Sequence, residues 1–251
     1  MSAGTRTRRP TPNPGSAGRL PARRTTDARD TVHAQVYAAM KRNLSGGTYK
    51  PGQKITIRGV AAALGTSATP VREAIRRLAG EGAFELMRSG TARVPALDAT
   101  RLWEITQVRV ALESLAARHA SQRMSAQDLD ALDALQVELA SARGRRDYRT
   151  YLLKNEAFHF AYYRASAMPN LVRHIESLWL QSGPYLTLLL PAMRGIDLHA
   201  RAIDAARRKD ANAAAAAIAE DITRAAQYLS ALIGAQGQAA RDADRHRSST
   251  A

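Results

Sequence analysis

Cysteine is absent from the 251 residues. No disulfide can staple the chain and no thiolate can hold a metal, so any metal site must use histidine, carboxylate or amide ligands. Acidic residues are scarce as well, 22 Asp+Glu against 37 Lys+Arg, for a formal net charge of +15. That imbalance points to a polyanionic partner, nucleic acid or an acidic membrane surface. No apolar stretch approaches the roughly 20 residues that span a bilayer; the longest, around residues 186–190, is cut short by Pro191. Arg8-Arg9 and Arg23-Arg24 precede polar residues rather than an apolar run, which argues against a secretion signal. A cytoplasmic protein without a membrane partner is expected. No internal period recurs, which disfavours a solenoid.

What is present is unevenly distributed. Residues 1–97 hold 17 Lys+Arg and 5 Asp+Glu, a net of +12, leaving +3 for residues 98–251. The length suits two domains. Residues 1–28, rich in Thr, Arg, Pro, Gly and Ser, have too little apolar surface to offset the entropy of ordering. They read as a disordered basic arm or a plain solvated tail, and residues 237–251 as a second disordered tail.

Within residues 29–96 the pattern turns periodic. Val32, Val36, Met40 and Leu44 recur at helical spacing, with Asp30 or Thr31 as cap and Gly46-Gly47 as terminator. Ile57, Val60, Ala61 and Leu64 form a short second helix stopped by Gly65; Gly59 inside it costs about 1 kcal/mol relative to alanine. Thr69 is placed to cap a third helix with Pro70 at its first position. Val71, Ala74, Ile75 and Leu78 supply its buried face, which leaves Arg72, Glu73 and Arg76 on the other. Phe84-Glu85-Leu86 and Ala92-Arg93-Val94 read as two strands around the turn Arg88-Ser89-Gly90-Thr91. Three helices and a β-hairpin make a winged helix-turn-helix, whose third helix enters the major groove while the hairpin lies along the backbone or minor groove.

Residues 97–236 show no strand signal. Amphipathic helices are expected over 103–119, 126–143, 148–165, 169–190, 198–208 and 211–234, so the fold class is mostly α, a winged helix-turn-helix followed by a helical bundle. Trp103, Phe158, Tyr162, Trp179 and Tyr185 belong to its core. Asn155 and His159, four apart, share a helical face. His199 and Asp221 are equidistant from residue 210, in the polar turn between the last two helices, so an antiparallel pair sets them level. Histidines in such places also occur simply as hydrogen-bonded core residues. Glu156 and His159 form a Glu-x-x-His pair without the second copy a di-iron bundle needs. His33, His119 and His174 have no partner at ligand spacing.

Residues 49–84, YKPGQKITIRGVAAALGTSATPVREAIRRLAGEGAF, resemble the signature of GntR-type bacterial transcription regulators. Residues 108–120, VRVALESLAARHA, and 155–171, NEAFHFAYYRASAMPNL, resemble the helical ligand-binding (FCD) domain of the FadR subfamily. The resemblance implies a double-stranded DNA operator as partner, read by a homodimer on an inverted repeat, with no enzymatic activity. Arg72 would reach base edges, where arginine bonds bidentately to guanine. Ser67 and Thr69 would face phosphate at a helix N-terminus, Arg58 matches a DNA-contacting arginine, Arg76 lies a turn beyond Arg72, and Arg88, Ser89 and Gly90 fall in the wing. Taken alone, Arg72 could equally pair with Glu73, and Arg76 and Arg77 could be solvated.

The subfamily pattern of an Asp-x-x-x-His pair and two later histidines implies a divalent metal, matched here by Asn155, His159, His199 and Asp221. Asn155 stands for the usual aspartate and Asp221 for the last histidine. That set suits Zn²⁺, Ni²⁺, Mn²⁺ or Fe²⁺, although an amide is a weaker ligand than a carboxylate. The pocket would take a small carboxylate effector, with Arg109 as its clamp; Arg109 and Glu113, four apart, could instead pair with each other. The function implied is a repressor released by an organic acid. A helical metalloenzyme with an accessory DNA-binding module, using Glu156 as base, and a DNA-binding protein whose bundle only dimerises are the alternatives.

Overall fold

The computed structural model describes residues 26–88, 91–96, 98–189 and 196–249, with side chains described from Thr31 to Ala235 within those ranges, Ile196 excepted. The proposed arm therefore falls almost wholly outside the described residues, and Ser89 and Gly90 of the turn do too.

The first domain is built from α1 (Thr26–Ser45), β1 (Lys54–Ile55), α2 (Ile57–Leu64), α3 (Ala68–Gly80), β2 (Glu85–Leu86) and β3 (Ala92–Arg93). Val36, Met40, Leu44, Val71, Ile75, Leu78 and Phe84 close one core, each at most 5% exposed. Three expectations need correction. The first helix begins by Thr26, ahead of Asp30 and Thr31. Ser67, not Thr69, is the N-cap residue of α3, without a side-chain capping bond, which puts Pro70 at the third helical position. Proline is tolerated there because the first four N–H groups of a helix have no intrahelical acceptor. The sheet has three antiparallel strands rather than two, in the order β1-β3-β2, with Lys54 opposite Arg93 and Glu85 opposite Arg93 on the other side.

The second domain comprises α4 (Ala99–Arg123), α5 (Ala126–Gly144), α6 (Tyr148–Arg164), α7 (Pro169–Leu186), a 3₁₀ turn (Thr187–Leu189), α8 (Ile196–Arg207) and α9 (Ala211–Ser249). Helix α9 runs through the segment expected to be a tail. Phe158, Tyr162, Trp179 and Tyr185 are buried as expected, but Trp103 is 64% exposed on the outer side of α4. Arg118 with Asn212 and Ser114 with Ala215 O tie α4 antiparallel to α9.

The domains meet along α7. Leu180 enters the winged-helix core, and a Cβ at Gly183 would lie 3.1 Å from Leu44 O, so any other residue there would press on the α1 backbone. Lys41 faces Glu176 at 3.6 Å, Arg101 donates to Gly82 O at 2.7 Å, and the Tyr185 hydroxyl reaches Ala96 O at 3.2 Å.

Candidate nucleic-acid interface and metal centre

Helix α2 is fixed at both ends by local chemistry. The Thr56 hydroxyl accepts from the Gly59 N–H at 3.1 Å, and Gly65, at φ 62°, closes the helix in the left-handed region. A Cβ on Gly59 would stand 2.9 Å from that hydroxyl, so the residue that weakens the helix by propensity makes room for its cap. On α3, Thr69, Arg72 and Arg76 occupy positions i, i+3 and i+7 and are exposed, opposite buried Val71, Ala74, Ile75 and Leu78. Neither Arg72 nor Arg76 joins an ion pair among the described residues, whereas Arg77 bonds Glu81 at 3.2 Å and lies over the Tyr37 ring. Glu73 pairs with His33 at 2.5 Å rather than with Arg72. Arg58, Ser67 and Arg88 are also exposed. Arg93 is bound to Glu85 and braces the hairpin. The surface of α2 and α3 thus presents uncommitted cations.

In the bundle, α6, α8 and α9 bring His159, His199 and Asp221 together, their donor atoms all within 4.8 Å. His159 Nε2 is 3.2 Å from His199 Nε2 and 3.4 Å from Asp221 Oδ2; His199 Nε2 is 3.9 Å from that oxygen. Bonds of about 2.05 Å in a tetrahedral site would hold ligand atoms roughly 3.3 Å apart, so these three fit one divalent ion. Burial pushes the His199 pKa down to about 3 against the opposing pull of Asp221, which keeps the ring neutral and its lone pair free. Burial alone would raise the Asp221 pKa, but its interactions with His159, His199 and Arg109 lower it, favouring the carboxylate. Asn155 lines the same cavity, a space of about 410 Å³ that also opens onto Arg109, Trp179 and Ile222.

Behind His159, His199 and Asp221 lies a network centred on Glu113, which is fully buried. Its carboxylate accepts from Arg109 Nε at 2.6 Å, the Tyr163 hydroxyl at 2.5 Å and Trp179 Nε1 at 3.0 Å. A carboxylate only accepts, so the single Tyr163 hydrogen is committed to Glu113. Tyr163 is therefore left to accept from His159 Nδ1, 2.9 Å away. With its proton on Nδ1, a neutral His159 turns a bare Nε2 toward Asp221 and His199. Arg109 is buried with its charge balanced by Glu113, which holds its pKa up against the effect of burial, and it sits over the Trp179 ring. The pairing of Arg109 with Glu113 is thus the arrangement found, and Arg109 forms part of the cavity wall as a neutralised group.

Glu156 does not face this centre. One residue on from Asn155 is about 100° around the helix, and its carboxyl accepts from Ser45 of α1 at 3.1 Å. The general base that a metalloenzyme would require is turned away from His159, His199 and Asp221. Sequence reasoning missed Tyr163 and Trp179 as supports of the site: they lie 50 and 66 residues from Glu113, and no spacing rule connects them.

Residues 33–94 match the bacterial regulatory proteins of the gntR family, and residues 104–224 match the FCD domain. The HTH-type transcriptional regulator McbR of Escherichia coli is 35% identical over 164 residues, covering 65% of this chain and 74% of that protein. A probable D-xylose utilization operon transcriptional repressor from Paenarthrobacter nicotinovorans is 29% identical over 215 residues, covering 83% and 92%. The solved structure of E. coli McbR/YncC superposes with a TM-score of 0.74 at 31% identity, over 79% of this chain and 96% of that one. A putative GntR regulator from Rhodococcus sp. RHA1 shares the fold at TM-score 0.67 and 15% identity, over 79% and 97%. The chain belongs to the GntR family, in the FadR-type branch that joins a winged helix-turn-helix to an FCD domain. It is a DNA-binding transcription regulator, and among the described residues no helix is long and apolar enough to cross a membrane.

Proposed function

We propose that the chain is a repressor that binds an inverted-repeat operator as a homodimer and releases it when a small organic acid occupies a metal-containing cavity in the bundle. The observation that carries this reading is the convergence of His159, His199 and Asp221 on a cavity whose wall is also the domain seam. A divalent ion held by these three and Asn155 would offer a Lewis-acidic position to an acid's oxygen. Trp179 and Leu186 of α7 line the cavity while Leu180 and Gly183 of the same helix press on α1, and α1 packs on α3. An acid that binds the DNA-free arrangement more tightly shifts the population toward release, by as much as its affinities for the two arrangements differ. A relative named as a probable operon repressor supports the sign of the response.

A mobility shift on the DNA flanking the chain's own gene, run with a panel of carboxylates, tests the reading. Release by at least one acid, dependent on added divalent metal, is expected. Binding indifferent to every acid and to chelation would favour a bundle that only dimerises.

On the DNA side, we expect Arg72→Ala to lose about 1–3 kcal/mol of discrimination at one base position, checked by binding to duplexes singly substituted along the operator. Arg76→Ala is expected to weaken all sequences alike and to reduce the slope of log affinity on log salt by about one unit. On the sensor side, Tyr163→Phe removes the acceptor that holds the His159 proton on Nδ1. It should weaken zinc binding about 10–100-fold, measured by competition with a chromophoric chelator; unchanged affinity would refute the role given to Tyr163.

A further inference from the structure

The cavity has two chemically different ends, and helix α9 connects them. Asp221 stands at one end among the metal-ligating side chains, and Ile222 and Ala225 follow along the helix. The cavity shares Leu186, Ile222 and Ala225 with a small adjoining void of about 20 Å³, which reaches inward to Leu102, Ile105 and Leu229. The single ionisable side chain lining both spaces is Arg109, already matched by Glu113 at 2.6 Å. Arg224, which shares Glu220 with Arg201, and Tyr151 and Tyr228 line the larger cavity but not the inner void. A second carboxylate or a polyol directed toward the inner void would give up its water and meet, among the described residues, only the already paired Arg109 and the Thr106, Ser182 and Tyr185 hydroxyls already donating to backbone carbonyls, which is costly. Branched or ring carbons directed the same way would be transferred from water onto apolar side chains, which is favourable.

We infer that the ligand is a monocarboxylic acid with a compact apolar body: its carboxylate lies at the Asp221 end and its body rests on Leu186, Ile222 and Ala225. This rests on the reading of the cavity as the effector site and specifies what that site selects. At about 410 Å³ the cavity is near the small end of the roughly 300–1,000 Å³ typical of ligand sites, which fits a metabolite of modest size. Selectivity comes from the wall beyond the metal, so it is separable from metal binding.

The test is calorimetric titration of the full-length, zinc-loaded protein with acetate, isovalerate, malonate and citrate. Isovalerate has three more carbons than acetate, and about fourfold per buried methylene predicts roughly 50-fold tighter binding, with malonate and citrate weaker than isovalerate. Ala225→Leu fills the apolar end and is expected to weaken isovalerate at least about tenfold, with zinc affinity unchanged as the sign that the fold is intact. Should that variant fail to fold, Ala225→Ser keeps the size and adds a hydroxyl, and a severalfold loss for isovalerate is expected. Malonate or citrate binding more tightly than isovalerate would overturn the inference while leaving the effector-site reading in place. Isovalerate binding that neither variant disturbs would overturn the placement of the body. Zinc-loaded protein that takes up none of the four acids would overturn both.

Discussion

Replacing Asp221 with alanine is expected to lower zinc affinity by more than about 100-fold and to abolish release by acid, while operator affinity in the absence of acid stays unchanged. The magnitude follows from the composition of the donor set. Asp221 is the only carboxylate beside two buried imidazoles and an amide, and loss even of a supporting residue outside the ligand set typically costs 10–100-fold. Among the described residues the cluster of His159, His199 and Asp221 holds no second carboxylate. The selectivity of the effect follows from position: Asp221 lies on α9 in the bundle, whereas the exposed Arg72 and Arg76 lie on α3. Metal content after dialysis and a mobility shift on the same preparation check both halves. Undiminished zinc affinity, or acid release that persists, would remove His159, His199 and Asp221 from the account.

Glu113→Ala is expected to produce the largest loss of stability, about 3–5 kcal/mol, because it strands a buried guanidinium without its counter-charge. It also removes the acceptor of the Tyr163 hydroxyl and of Trp179 Nε1, two buried donors that would go unpaired. For a chain of this size the thermal midpoint should fall by roughly 10 °C or more, readable by circular dichroism. Removing both charges is expected to cost less than removing one, so Arg109→Met combined with Glu113→Ala should recover part of the loss. A single substitution costing under about 1 kcal/mol would show that the pair is solvated in solution.

The parts of the fold that could be read from the residues are those governed by neighbours in sequence. The turn of α2 into α3 is set by Gly65 in the left-handed region and by Pro70 within the first helical turn, signals that lie within six residues of each other. The level placement of His199 and Asp221 follows from the symmetry of two antiparallel helices about residue 210. Strand β1 escaped because Lys54–Ile55 is two residues long and shows no alternation; its partner β3 is nearly forty residues away. The extension of α9 to Ser249 is not legible because a polar tail ordinarily signals disorder, although Ala, Gln and Arg, which make up residues 235–241 apart from Gly237, are good helix formers. Trp103 escaped because a large apolar side chain is ordinarily assigned inward. For the candidate site, one face of α6 was legible, Asn155 and His159; the hub at Glu113 was not, because it joins α4, α6 and α7 through side chains alone. In sequence Glu113 is only a local partner for Arg109, and its complete burial is a property of the packing.

The central claim is that the exposed cations of α2 and α3 read duplex sequence. Its most direct measurement is equilibrium competition, with the full-length protein at physiological salt, between the DNA flanking its own gene and a scrambled duplex of the same length and composition. The flanking DNA is expected to bind at least about 1,000-fold more tightly, and Arg72→Ala to remove part of that preference while leaving the affinity for the scrambled duplex nearly intact. Equal affinity for the two duplexes, both vanishing together as salt rises, would mean that the net charge of +15 acts only as a non-specific polycation, and the account would be wrong.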